Sequence, residues 1–280
     1  MSYFEFDYPM GVFAIYILIS FVFSFLSLYF SYLFYFVSKK HGIERLKLLF
    51  LGFVIMGSAY LLQTIGWLYF AKYGTAETPI TILGNTIPFL PTMVAFSMCS
   101  VFCWYTSFYV YARLQRNDVL YIKDYLVIAL GIIGAIISLL PHNMWMRSDI
   151  PRFQEPTPLN PNPPVYIESV IRLTTGLLII ITGFMTLFSY FLLYKKKLRE
   201  EPEDIVLRKR HEYLILGILL MTFAMASLAI RDIAALRGRE IIPPSIVALL
   251  IITFFQIIST LCLYIGIMAP EWITKRWVKS

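Results

Sequence analysis

The sequence predicts an all-α integral membrane protein: a seven-transmembrane-helix bundle with its N-terminus outside and its C-terminus cytoplasmic. Three observations carry that expectation. Seven apolar stretches of about 20 residues or more match the roughly 30 Å hydrocarbon core of a bilayer. Hydrophobic residues make up 59% of the chain and charged residues 15%, at a mean hydropathy of +0.71, whereas a soluble domain carries about 25% charged residues. Basic residues crowd every second connection, so that 17 of the 24 Lys and Arg fall on one side, and retained Lys and Arg mark the cytoplasmic face.

The spans are expected at 11–37, 48–71, 88–112, 124–141, 166–194, 213–236 and 245–269, within a single membrane domain covering 1–280. The tail before the first span holds Glu5 and Asp7 but no Lys or Arg, as an exported segment should. With no basic n-region and no small-residue cleavage site before Lys39, this start does not read as a cleaved signal peptide. The first span carries Ser20, Ser24, Ser27 and Ser31 on one helical face. The second repeats the pattern with Gly52, Ala59, Gln63 and Gly66, the third with Cys99, Cys103 and Thr106, and the fourth with Gly131 and Gly134. Small and hydroxyl-bearing residues let helices approach closely in lipid. Packing is therefore their expected role, with the large aromatics turned toward lipid.

The fifth span has a longer polar stripe: Glu168, Arg172, Thr175, Thr182, Thr186 and Ser189. In the sixth, Gly217, Ala224, Ser227 and Arg231 share a face, with Asp232 beside them, and the seventh contributes Gln256 near its middle. Between the fourth and fifth spans, the outer segment 142–165 is expected as a stiff, proline-rich loop, since seven of the 15 prolines lie between Pro141 and Pro164. The inner segment 195–212 places Lys195, Lys196, Lys197, Arg208, Lys209 and Arg210 around Glu200, Glu201, Glu203 and Asp204. It reads as a charged cytoplasmic loop, either solvated against lipid or docking a cytoplasmic partner.

The formal charge of +7 does not imply a nucleic-acid partner, because the inner connections hold net +8 and the outer side −1. That distribution suits anionic lipid headgroups. Cys99, Cys103 and Cys262 all fall within spans and offer no disulfide framework. The histidines are His41, His142 and His211, which provide neither facing haem ligands nor a zinc cluster. No Lys lies in the seventh span, so a retinal Schiff base there is excluded. The serine–histidine and paired-aspartate arrangements of intramembrane proteases are missing. No catalytic residues, cofactor or metal are expected, and the chain is not read as an enzyme.

Ionisable and amide groups within spans usually face the bundle interior or a wet cavity. The expectation is an outward-opening cavity lined by Gln63, Trp67, Glu168, Arg172, Arg231, Asp232 and Gln256. Arg172 and Arg231 would hold an anionic or strongly polar group there, balanced by Glu168 and Asp232 when empty. The alternative is that these four charged residues sit at the headgroup level as interfacial ion pairs.

Four segments resemble the seven-helix sensor region at the N-terminus of many histidine kinases. They are Arg208-Lys209-Arg210 entering the sixth span, Pro243-Pro244 opening the seventh, the exit Ile267-Met268-Ala269-Pro270-Glu271-Trp272, and Pro141-His142-Asn143-Met144-Trp145 after the fourth. No kinase, cyclase or coiled-coil segment follows Trp277, so the resemblance implies a stand-alone sensory module acting through a separate partner. The expected function is a receptor-like or sensory protein of the cell membrane that binds a small ligand from the outer face. A transporter or permease component, and a non-catalytic subunit of a membrane complex, are the alternatives.

Overall fold

The computed structural model describes the backbone of residues 10–73, 79–82, 85–145, 164–201, 203–238 and 246–279. Its long helices are α1 (Met10–His41), α2 (Leu46–Tyr73), α3 (Phe89–Asn117), α4 (Ile122–Trp145), α5 (Pro164–Glu200), α6 (Ile205–Gly238) and α7 (Ile246–Met268). A short α8 (Glu271–Lys279) follows, and a hairpin of β1 (Pro79–Ile82) and β2 (Asn85–Pro88) lies between α2 and α3.

Among the described residues, five segments are long and apolar enough to cross a membrane: Ala14–His41, Leu46–Tyr69, Ile122–Leu139, Thr174–Glu200 and Leu250–Met268. The arrangement of their side chains is the reverse of a soluble bundle. On α1, Ser20, Ser24, Ser27 and Ser31 are buried, while Leu18, Phe25, Tyr29 and Tyr32 are exposed. On α5, Thr175, Thr182, Thr186 and Ser189 are buried and Phe184, Phe188 and Phe191 are exposed. A rim of large apolar side chains over a hydroxyl-bearing interior is stable only where the surroundings are hydrocarbon. The chain is a helical, multi-pass membrane protein.

α3 and α6 are as long as the others, at 29 and 34 residues, but more polar. α3 packs against α2, α4 and α5, so protein rather than lipid covers much of it, and Ser97, Ser100, Trp104 and Tyr105 are buried along it. α6 opens on Arg208, Lys209, Arg210, His211 and Glu212 before its apolar part begins.

From α1 to α7 each helix packs on the next in sequence; α3 also reaches α5, α8 packs on α6, and α1 meets α7, where Phe30 and Tyr264 stack at 4.4 Å. Glycines set the closest approaches. A Cβ on Gly134 would run into the Phe102 ring, and one on Gly131 into the Thr106 hydroxyl, which brings α4 onto α3. At the α6–α7 seam a Cβ on Gly217 would stand 2.9 Å from the Ser259 carbonyl oxygen. The Ser259 hydroxyl donates to the Gly217 carbonyl at 2.6 Å. The aromatic core gathers between α2 and α3, with Phe53, Trp104 and Phe108 in mutual contact.

Three features differ from expectation. The segment 195–212 is not a loop: α5 continues to Glu200 and α6 starts at Ile205. Its charges form pairs one turn apart, Lys196 and Lys197 with Glu200, and Arg208 and Lys209 with Glu212, and such pairs support helix. α4 runs past Pro141 to Trp145, four residues beyond the expected end. The residues after Ala269 form α8, because Ile273 and Trp277, four apart, bury themselves against the bundle. The proline-rich segment 146–163 lies outside the described residues.

Candidate functional site

The polar residues expected to line a cavity divide into two groups. Gln63 and Trp67 of α2 and Gln256 of α7 have described side chains; of Glu168 and Arg172 on α5, and of Arg231 and Asp232 on α6, only the helical backbone is described.

The described group is positioned by helical spacing. On α2, Tyr60, Gln63, Thr64 and Trp67 are separated by three or four residues and turn to one face, and all four are buried. α1 brings Tyr16 to this face. Gln63 Nε2 donates to the Tyr16 hydroxyl over a long 3.5 Å, and the Tyr16 ring meets Trp67 edge-on at 5.7 Å. One turn along α2, Gln256 Nε2 donates to the Tyr60 hydroxyl at 2.7 Å, while Phe23 closes over the Tyr60 ring at 4.8 Å. The result is a polar seam where α1, α2 and α7 meet.

Both amides are incompletely satisfied. Gln63 is 9% exposed and Gln256 1%, yet the Oε1 of each has no hydrogen-bond partner among the described residues. Exchanging the amide nitrogen and oxygen does not repair this, since one end stays on tyrosine and the other remains unpaired. A buried polar group without a partner costs about 1–3 kcal/mol. Two such acceptors within one seam form a feature that can receive N–H or O–H donors.

A second polar cluster is complete and reads as structural. The Tyr105 hydroxyl of α3 donates to Thr222 Oγ1 of α6 at 3.2 Å, and Thr222 in turn donates to the Ile218 carbonyl at 2.8 Å. Thr186 of α5 bonds the carbonyls of Tyr105 and Thr182. On the fifth helix Thr186 thus ties α5 to α3, while Thr182 bonds carbonyls of its own helix.

The basic residues at the opposite helix ends do more than mark a membrane face. The last carbonyls of a helix lack intrahelical donors and form the negative end of its dipole. Arg45 Nη1 donates to the Leu114 carbonyl at 2.8 Å, and Lys196 Nζ to the Arg116 carbonyl at 2.6 Å, so two cations cap α3. Arg210 caps α7 through the carbonyls of Gly266 and Ile267, at 3.1 and 2.7 Å. Beside them, Asp124 is fully buried with Arg113 Nε at 2.7 Å. It also accepts the Tyr109 hydroxyl and the Tyr121 N–H, each at 2.8 Å. Asp124 thereby reaches back to cap the first turn of α4. Burial holds the His211 imidazole below its ordinary pKa, and its Nδ1 lies 2.9 Å from the Leu207 carbonyl.

Among the described residues no three His, Cys, Asp or Glu side chains gather as a metal site would require. No protein-family model, curated protein or solved structure matches this chain.

Sequence reading missed the tyrosines that anchor the seam. Tyr60 lies three residues before Gln63, and that spacing was the available signal.

Proposed function

We propose that this chain crosses the cell membrane seven times, with its N-terminus outside, and acts as a receptor-like sensory module. Its ligand is a small polar molecule that enters from the outer face and presents N–H or O–H donors to Gln63 and Gln256, with Trp67 as an apolar wall. The observation that carries this reading is the pair of buried amide oxygens left without donors. A bundle in lipid has no water to relieve such groups, whereas a ligand would. Arg172 and Arg231 would hold an anionic part of the same molecule, with Glu168 and Asp232 balancing them in the empty state. Binding would shift α1, α2 and α7 against one another. That shift would reach the inner ends, where Arg210 ties α6 to α7, and the helical charged segment 195–212 is the surface for a cytoplasmic partner. The resemblance to histidine-kinase sensor regions supports the same assignment.

A thermal-shift screen on the purified chain tests it, because a ligand that binds only the folded state raises apparent stability. A compound that stabilises the wild type and loses that effect in Gln63→Leu and Gln256→Leu supports the reading. Equal stabilisation of both variants, or unchanged affinity in both Arg172→Ala and Arg231→Ala, removes the corresponding part of the site. Cysteines placed at residues 2 and 275 must label from opposite sides of the bilayer, or the outward location of the site fails.

A further inference from the structure

A second site lies at the other end of the bundle, formed by α6, α7 and α8. α7 stops where Ala269 takes a positive φ of 42°, and Pro270 prevents the helix from continuing. The chain then turns into α8, which seats Ile273 and Trp277 inward. Trp277 stacks on Tyr213 of α6 at 5.6 Å, with the two rings 26° from parallel. Held in this way, α8 leaves an open groove of about 600 Å³ against the first turns of α6 and the end of α7, lined by Val206, Arg210, Met268, Thr274, Lys275 and Val278.

The groove's chemistry is divided. One part offers a guanidinium and an ammonium, beside a Thr274 hydroxyl that donates to the Glu271 carbonyl at 3.1 Å; the other offers the apolar side chains of Val206, Met268, Ala269 and Val278. Most neighbouring cations already face a carboxylate, Lys196 and Lys197 sharing Glu200, and Arg208 and Lys209 sharing Glu212. Arg210 is different. It spends Nε and Nη2 on neutral carbonyls and has no carboxylate partner among the described residues, so its full charge remains. Among the described residues, Lys275 meets only the highly exposed Glu271, at 3.4 Å. On the same short helix Trp272 is 63% exposed and Val278 69%, beside Lys275 and Arg276. Exposed tryptophan next to cations at a helix end is the composition of a membrane–water interface.

We propose that this groove binds the headgroup of an anionic phospholipid. The phosphate sits between Arg210 and Lys275, where the guanidinium's remaining Nη donors and the ammonium suit its oxygens. Val206, Met268 and Val278 take the glycerol and the start of the acyl chains. A free inorganic anion would use the cations but leave the apolar wall uncovered, so the lipid accounts for both halves of the lining. The site is separate from the Gln63–Gln256 seam and does not depend on its function.

Native mass spectrometry of the delipidated full chain, titrated with phosphatidylglycerol or phosphatidylcholine, tests the proposal. The expected result is one retained phosphatidylglycerol with at least a tenfold preference, on the order of two nearby cations acting on an anionic lipid. Lys275→Gln should lower that affinity about fivefold. Its side chain is mostly exposed, so the lipid-free melting temperature should not change. Lys39→Gln, at the end of α1, should have no effect. Equal affinity for the two lipids, an unchanged Lys275→Gln, or an equal loss in Lys39→Gln would each overturn the site. Stabilisation of the lipid-free protein by inorganic phosphate alone, equal to that by phosphatidylglycerol, would make the occupant a soluble anion and overturn the lipid assignment.

Discussion

The unpaired amides of the α1–α2–α7 seam make a quantitative prediction through Tyr60 and Gln256. In Tyr60→Phe the 2.7 Å bond from Gln256 is lost and both ends of a 1%-exposed amide are left without partners. A hydrogen bond between membrane helices is worth about 0.6 kcal/mol and at most about 1.7, and the newly stranded donor adds part of a 1–3 kcal/mol penalty. The expected destabilisation is about 2 kcal/mol. Gln256→Met loses the same bond and strands the buried Tyr60 hydroxyl, but it also removes the acceptor that had no donor; the two penalties offset and leave only the lost bond, below about 1 kcal/mol. The double variant replaces both partners with apolar groups, which is close to neutral or stabilising, and the coupling term is then about −2 to −3 kcal/mol. Reversible unfolding of the four proteins in mixed detergent micelles measures the cycle. A cost above about 2 kcal/mol for Gln256→Met alone would refute the reasoning. The Gln256 carbonyl would then have a donor within the protein, and the seam would be a finished structural element instead of an open binding site.

Two further variants test the frame around that seam. Gly217→Ala should cost about 1–3 kcal/mol, since the new methyl would meet the Ser259 carbonyl oxygen at 2.9 Å, on a backbone that has little room to move. Gly11→Ala, with nothing within 4 Å, should be neutral or slightly stabilising through helix propensity, and equal effects at the two glycines would discredit the close α6–α7 approach. Asp124→Asn should destabilise by about 3–5 kcal/mol by leaving the Arg113 charge buried and uncompensated. Arg113→Met with Asp124→Leu should recover most of this but not the roughly 1 kcal/mol contributed by the cap on the Tyr121 N–H. Denaturant midpoints give both values, and a double variant no more stable than Asp124→Asn would contradict the ion-pair assignment.

The features legible in the sequence were those that lipid makes unambiguous. Ser20, Ser24, Ser27 and Ser31 had to point inward, because a hydroxyl facing hydrocarbon has no partner outside its own helix, and Ser24 and Ser31 do bond to their own helix's carbonyls. Gln63 and Gln256 stood out as amides in otherwise apolar spans for the same reason. Their partners did not. The chain has 19 tyrosines, and a tyrosine is equally at home facing lipid, as Tyr29 and Tyr32 do, or the core, as Tyr16 and Tyr60 do. The charged segment 195–212 read as a loop because charge density was weighed above charge spacing, yet its Lys–Glu and Arg–Glu pairs fall three and four residues apart. α8 is nine residues long, too short for periodicity to separate it from a tail, and only its packing on Tyr213 reveals it. The β1–β2 hairpin had a weak signal of its own, two Ile- and Thr-containing runs around Leu83-Gly84, which is a tight-turn pattern.

Charge placement and bundle cohesion are the same property in this protein. A cytoplasmic excess of Lys and Arg is usually understood as a rule of insertion, under which any basic residue on the correct side would serve. Here Arg45, in the turn between α1 and α2, and Lys196 and Arg210, on α5 and α6, each bond to backbone carbonyls at the end of another helix. Replacing them with lysines or arginines a turn away would keep the topology signal and lose three interhelical ties. These ties act on α3 and α7, and α7 carries Gln256. A movement of α7 at the seam must therefore either drag Arg210 and the start of α6 with it or break that cap. In the second case the guanidinium would be released entirely to the α6–α8 groove. The occupancy of that groove by an anionic lipid and the position of α7 would then be coupled through a single side chain, with each favouring the other by the same free energy.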